Sequence, residues 1–212
     1  MASARGAVLW ILAAVGYLIL EAVAAASFTP GYSYAGNYIS DLGLPSGTLV
    51  HGQVIDSSRA YLMHAAFYLQ GGLFFLGALL LTGIPDNRRA QIFLGTVGAN
   101  AVGNIVIGTV HSGRVHVAGA LLAIVGGNVA IVLGSTAIRL VAELPWYRRV
   151  SKSLAALGLS CLAMLAVNSA SARAILLPDG VWERGSVYSI TAWQLLTAVC
   201  VLIGSRRKAR LN

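Results

Sequence analysis

The chain carries four histidines, His51, His64, His111 and His116, and seven carboxylates, among them Glu21, Asp41, Asp56, Asp179 and Glu183. Three chemistries could use such a set. Three imidazoles and a carboxylate, here His64, His111, His116 and Asp41, could hold a zinc ion and leave a water as nucleophile. His111 and His116 stand five apart across a turn, a spacing that fits no standard zinc motif, so no metal ligands are assigned. A histidine poised by a carboxylate could act as a general base near neutral pH. Arginines oriented by carboxylates could clamp an anionic headgroup, and Arg59, Arg114, Arg173 and Arg184 are the candidates. The plainer alternative is a set of rim ion pairs, each worth at most about 1 kcal/mol.

The elements that must position these groups are membrane helices. Hydrophobic residues make up 57% of the 212 residues and charged residues 10%, too few charges to coat a water-exposed surface. That excludes an ordinary soluble enzyme and a disordered chain. The net charge of +8 would suit nucleic acid, but the positive residues sit in short segments between apolar runs, so no nucleic-acid partner is expected. A spanning helix needs about 20 apolar residues. Six runs qualify, at 6–26, 60–84, 91–110, 116–140, 151–173 and 185–204, which predicts an all-α, six-helix bundle forming one transmembrane domain. The first run, with Arg5 before it and Ala24 to Ala26 at its end, has features of a signal peptide. It exceeds the apolar core of one, so a retained helix is expected.

With the N-terminus in the cytoplasm, the inner segments hold eleven Lys and Arg and the outer segments four. This predicts a multi-pass cell-membrane protein with both termini cytoplasmic. Residues 27–59 then form an outer cap, and all four histidines fall in the outer half. His51 and Asp56 are expected to be solvated in that cap. The basic tail from Arg206 to Arg210 is expected to sit on anionic lipid.

Small residues recur at Gly95, Ala99 and Gly103 and at Gly119, Ala123 and Gly127, stripes that let helices approach closely. They are expected to face other helices, and self-association through the third and fourth helices is a further expectation. Asn100 and Asn104 share one helix face, and Asn128, Asn168, Gln70 and Gln194 lie in other runs. Lone amides are costly in hydrocarbon, so all should point inward, as interhelical hydrogen bonds or as the lining of a polar cavity. Cys161 and Cys200 read as packing residues. Asp41, in Tyr38-Ile39-Ser40-Asp41-Leu42-Gly43, reads as part of a short segment folded back onto the bundle, with Ser40 or Asp41 able to cap a helical turn.

Ile39-Ser40-Asp41-Leu42-Gly43, following the first helix and a Pro-Gly-Tyr-Ser segment at 30–33, resembles the I-S-[DE]-L-G signature of domain-of-unknown-function family 998. A histidine starting the fourth helix, His116, fits that family too. So does Gly180 with Glu183-Arg184 and Tyr188, which is similar to its G-x-x-E-R-x-x-x-Y pattern. At Thr109 to Ser112 many relatives carry an Asp that this chain lacks. The resemblance implies a six-helix membrane fold and points to Ser40, Asp41, His116, Glu183 and Arg184, with Asp41 paired to Arg184 or His116. The Ile-Ser-Asp segment also resembles one in DRAM and GPI-lipid-remodelling membrane proteins, an analogy that hints at lipid handling.

Three functions are then expected in order. The first is a binding protein whose outer pocket takes a lipid headgroup or a partner membrane protein. Its ligand-binding candidates are Ser40, His64, Asn100, Asn104, His111, Arg114, Glu183 and Arg184. The second is a membrane-embedded hydrolase with His116 as base, Asp41 orienting it and Arg184 stabilising an anion. The third is a small transporter or flippase using buried amides, weakened by the lack of a repeat and of Pro-broken helices. The sequence names no cofactor. A reporter fused behind Asn212 is expected to read as cytoplasmic. An extracytoplasmic signal would invert the topology and move the histidines to the other leaflet.

Overall fold

The computed structural model describes residues 2–50, 52–85 and 87–211, for 207–211 by backbone alone. Six helices in it are long and apolar enough to cross a membrane, so the protein is a multi-pass membrane protein of all-α class. They are α1 (Ala2–Ala25), α2 (Ala60–Thr82), α3 (Arg88–Thr109), α4 (Gly113–Ala137), α6 (Pro145–Ser171) and α7 (Asp179–Leu211), with a one-turn α5 (Arg139–Ala142) between α4 and α6. From α2 onward the spanning helices follow one another through short connections, which make them antiparallel neighbours, while α1 reaches α2 through the long segment between Ala25 and Ala60. α1 packs on α2 and α7, α3 on α2 and α4, and α6 on α4 and α7.

Several boundaries depart from the sequence expectation: α1 starts at Ala2 and α7 runs on to Leu211, and the starts of α6 and α7 differ for a local reason. α6 starts at Pro145 rather than near 151, because Pro suits the first helical turn, where no backbone N–H is needed. α7 starts at Asp179 rather than near 185, directly after Pro178, with Asp179 in its first turn where a carboxylate complements the helix dipole. Glu183 and Arg184 therefore belong to a helix face and not to a loop.

The two small-residue stripes meet each other only in part. A Cβ built on Gly103 would lie 2.4 Å from the Ala123 nitrogen and 2.5 Å from the Gly119 oxygen, so α3 and α4 touch backbone to backbone there. Gly126 lies close to Thr96 and Asn100, with a built Cβ 2.9 Å from each backbone, and Gly127 packs against Ile190 of α7. Gly95 breaks the pattern: it is exposed, with open space around it. Away from the cap, an aromatic core of Trp10, Phe74, Phe93 and Trp193 joins α1, α2, α3 and α7. Trp10 donates to the Phe74 carbonyl at 2.9 Å and Trp193 to Ser151 Oγ at 3.0 Å, so neither indole N–H is left bare in the apolar interior.

Residues 27–59 close one end of the bundle. They hold two short antiparallel pairs, β1 (Phe28–Thr29) with β4 (Asp56–Ser57) and β2 (Leu49–Val50) with β3 (Gln53–Val54). A 3-10 turn at Ile39–Gly43 drops into the helices, with Ile39 and Leu42 buried. Asp56 is exposed, as expected; His51 lies outside the described residues, as do the side chains of Arg207, Lys208 and Arg210. Gly103→Val would force side-chain atoms into the α3–α4 seam, and overpacking of this kind costs about 1–3 kcal/mol. Thermal unfolding in detergent should show a clearly lowered midpoint for Gly103→Val, whereas Gly95→Val, in open space, should unfold with the wild type.

Candidate functional site

The cap turn is held by its own carboxylate. Asp41 Oδ2 accepts from the Tyr38 backbone N–H at 3.0 Å and from Asn37 Nδ2 at 3.2 Å, the capping role read from the sequence. His64 of α2 fixes the other end of the turn, its Nε2 donating to the Gly43 carbonyl at 2.8 Å. His111 stacks on that ring, with centroids 4.0 Å apart and planes 7° from parallel.

The first two turns of α7 dock the cap. Gly180 has no Cβ because one would collide with the carbonyls of Asn37, Ala35 and Tyr34, 2.4 to 2.9 Å away. One turn on, Arg184 Nη1 donates to the Tyr34 and Asn37 carbonyls at 2.8 and 2.9 Å. Arg184 Nη2 donates to Glu21 Oε1 at 3.2 Å and to the Tyr32 hydroxyl, which donates onward to the Tyr38 carbonyl at 2.8 Å. The guanidinium also lies against the Tyr34 ring, 4.9 Å from its centre. Tyr188 completes the set, its hydroxyl 2.9 Å from both Glu21 oxygens. Glu183 accepts from the Ile39 backbone N–H, and Asp179 accepts from the Tyr38 hydroxyl at 2.7 Å. Burial pushes the Tyr38 hydroxyl well above the ordinary phenol range, and the Asp179 carboxylate adds to the shift.

Beneath the cap turn lies a narrow chamber of about 40 Å³ between α2, α3, α4 and α7. Such a volume holds about three waters. Its polar lining comes from Ser40, Gln70, Asn100, Asn104, His116, Glu183 and Thr191, with Tyr17 of α1 beside them. The amides spend their N–H groups on the protein. Asn100 Nδ2 donates to the Ala123 carbonyl at 2.7 Å, Asn104 Nδ2 to the Asn100 carbonyl at 2.9 Å, and Gln70 Nε2 to Gln194 Oε1 at 2.7 Å. Among the described residues no donor reaches Gln70 Oε1. His116 Nδ1 lies 2.6 Å from the Val110 carbonyl. A carbonyl can only accept, so Nδ1 carries a proton, and Nε2 is the nitrogen left to face the chamber. Among the described residues Glu183 is the only carboxylate in the lining, and no lysine or arginine joins it.

The structure thus brings Ser40, Asn100, Asn104, His116 and Glu183 together and keeps the other expected residues apart. The pairing of Arg184 with Asp41 or His116 is corrected. The carboxylate bonded to Arg184 is Glu21, because α1 brings that side chain to α7 while Asp41 turns back to cap its own segment. His64 and His111 sit beside the cap turn as a stacked pair, and Arg114 is exposed at the start of α4. Among the described residues no three of His, Cys, Asp and Glu gather closely enough to hold a metal ion. Gln70 and Glu21 lay outside the expected site. Their signal was present: each is a polar group in an apolar helix that must find a partner inside.

Removing one member of a buried ion pair costs about 3–5 kcal/mol, since the other charge is left unpaired. Glu21→Gln and Arg184→Gln should each lower the unfolding midpoint and open the cap to protease. The double variant should lose less than the sum of the two, which a double-mutant cycle measures.

The comparisons with known proteins come to one match. The family described as "Protein of unknown function (DUF998)" matches residues 11–200, from the first helix into the last. No curated protein and no solved structure matches the chain. The match spans the cap turn, the chamber and the α7 docking face together, and the chain belongs to the DUF998 family.

Proposed function

We propose that this membrane protein binds a small monovalent cation in the chamber beneath the cap, either free or as the ammonium end of an ethanolamine-type lipid headgroup. One observation carries the reading: the amides of the lining spend their N–H groups on the protein and leave their oxygens as acceptors beside Glu183, and the hydroxyls of Tyr17, Ser40 and Thr191 can accept as well. Asn100 and Asn104 point their N–H groups at backbone carbonyls, Gln70 Oε1 has no donor among the described residues, and Glu183 supplies a carboxylate. Buried acceptors without donors are costly, and a donor-bearing or cationic ligand removes that cost.

This narrows the headgroup reading. A phosphate clamp needs free arginines, and Arg184 is committed to cap carbonyls and Glu21. A volume of about 40 Å³ takes an ammonium group or a partly dehydrated cation, not a whole headgroup. On the count of lysines and arginines, the cap faces away from the cytoplasm, so the ligand enters from that side.

The test is thermal unfolding of the purified protein in sodium, potassium, methylammonium or N-methylglucamine chloride at equal ionic strength, and in micelles containing phosphatidylethanolamine or phosphatidylcholine. At least one small cation should raise the midpoint above that in N-methylglucamine. Glu183→Gln, which keeps an acceptor for the Ile39 N–H, should lose that gain. Stabilisation by phosphatidylethanolamine without methylammonium assigns the lipid source. Identical midpoints in all salts and both lipids overturn the reading.

A further inference from the structure

A second, chemically opposite feature lies at the end of the bundle away from the cap. There the start of α3 and the end of α4 leave an open groove of about 670 Å³. Arg88 and Arg89 stand in the first turn of α3 and Arg139 opens α5, and all three border the groove. All three are exposed, and among the described residues neither Arg88 nor Arg89 has a carboxylate partner. Even counting Asp86 beside them in the sequence, these four ionisable residues carry a net +2. Below the arginines the wall turns apolar, with Ile92, Leu133 and Ala137.

We infer that this groove binds an anionic glycerophospholipid, its phosphate held by Arg88, Arg89 and Arg139 and the first part of an acyl chain lying along Ile92 and Leu133. Three arguments support this occupant. Arginine forks match the paired oxygens of a phosphate, and guanidinium is the cation most readily removed from water. The positive end of the α3 dipole adds to their field. The order of chemistry, cationic at the helix ends and apolar one turn deeper, matches the order met along a lipid from headgroup to chain, whereas a free anion would need no apolar wall. Basic clefts between membrane helices are a recurrent setting for such headgroups. The inference is independent of the chamber under the cap, which lies at the opposite helix ends and shares no lining residue with this groove.

Native mass spectrometry of the detergent-purified protein tests it, with phosphatidylglycerol, phosphatidylcholine and glycerol phosphate titrated in separate arms. Phosphatidylglycerol should bind more tightly than phosphatidylcholine. Each arginine near a charged surface contributes about fivefold in affinity, so R88Q/R89Q should weaken phosphatidylglycerol about twenty-five-fold. R148Q/R149Q, which removes two exposed arginines of α6 outside the groove, should leave it within about twofold. R88K/R89K keeps the charge and should retain part of the affinity, which separates fork recognition from charge alone. Three results would overturn the proposal: equal binding of the two lipids, equal losses in the α3 and α6 variants, or glycerol phosphate binding as tightly as the lipid.

Discussion

A guanidinium among apolar helices needs partners for its charge, and Arg184 draws them from nearly everything that makes this end of the molecule. Its two terminal nitrogens meet cap carbonyls, a tyrosine hydroxyl and the Glu21 carboxylate, and its face rests on an aromatic ring; among the described residues only Nε lacks an acceptor. Charge burial of this kind adds little net stability against an apolar replacement. It adds position. An arginine fork can satisfy several carbonyls only in one arrangement, so residues 32–43 have one seat on the helices. The roof of the chamber follows from that seat, since Ile39 and Ser40 hang from the segment Arg184 holds.

The motifs that carry the resemblance read from the sequence gain a physical meaning here. Gly180 makes room for the cap carbonyls, Arg184 binds them, Glu183 takes the next backbone N–H along the cap, and Tyr188 supports the carboxylate that balances the arginine. On the cap side, Asp41 closes the turn and Gly43 presents its carbonyl to His64. The two signatures are two halves of one joint, which is why residues about 140 positions apart carry the resemblance together.

The helices were legible in the sequence because a bilayer leaves few alternatives. Apolar length and backbone satisfaction dictate six spans. The inward direction of the amides was legible for the same reason. Partners were not. Glu21 and Asp41 are both carboxylates near one membrane face, and nothing in their spacing says which meets Arg184; the approach of α1 to α7 decides it. The start of α7 was misplaced because charged residues at 179–184 look like a loop until the cap that covers them is known. Which atom of each amide faces the chamber was equally hidden, since it depends on which carbonyl of a neighbouring helix is in reach.

The close approach at Gly103 has an effect beyond saving space. Two main chains in direct contact mesh like the teeth of a rack. A slide by one helical turn would carry Ala99 or Ile107, on the same helix face, toward the place of Gly103 and into the Ala123 backbone. The third and fourth helices are therefore locked at one depth relative to each other, which fixes where Asn100 and Asn104 stand along the chamber that His116 also lines.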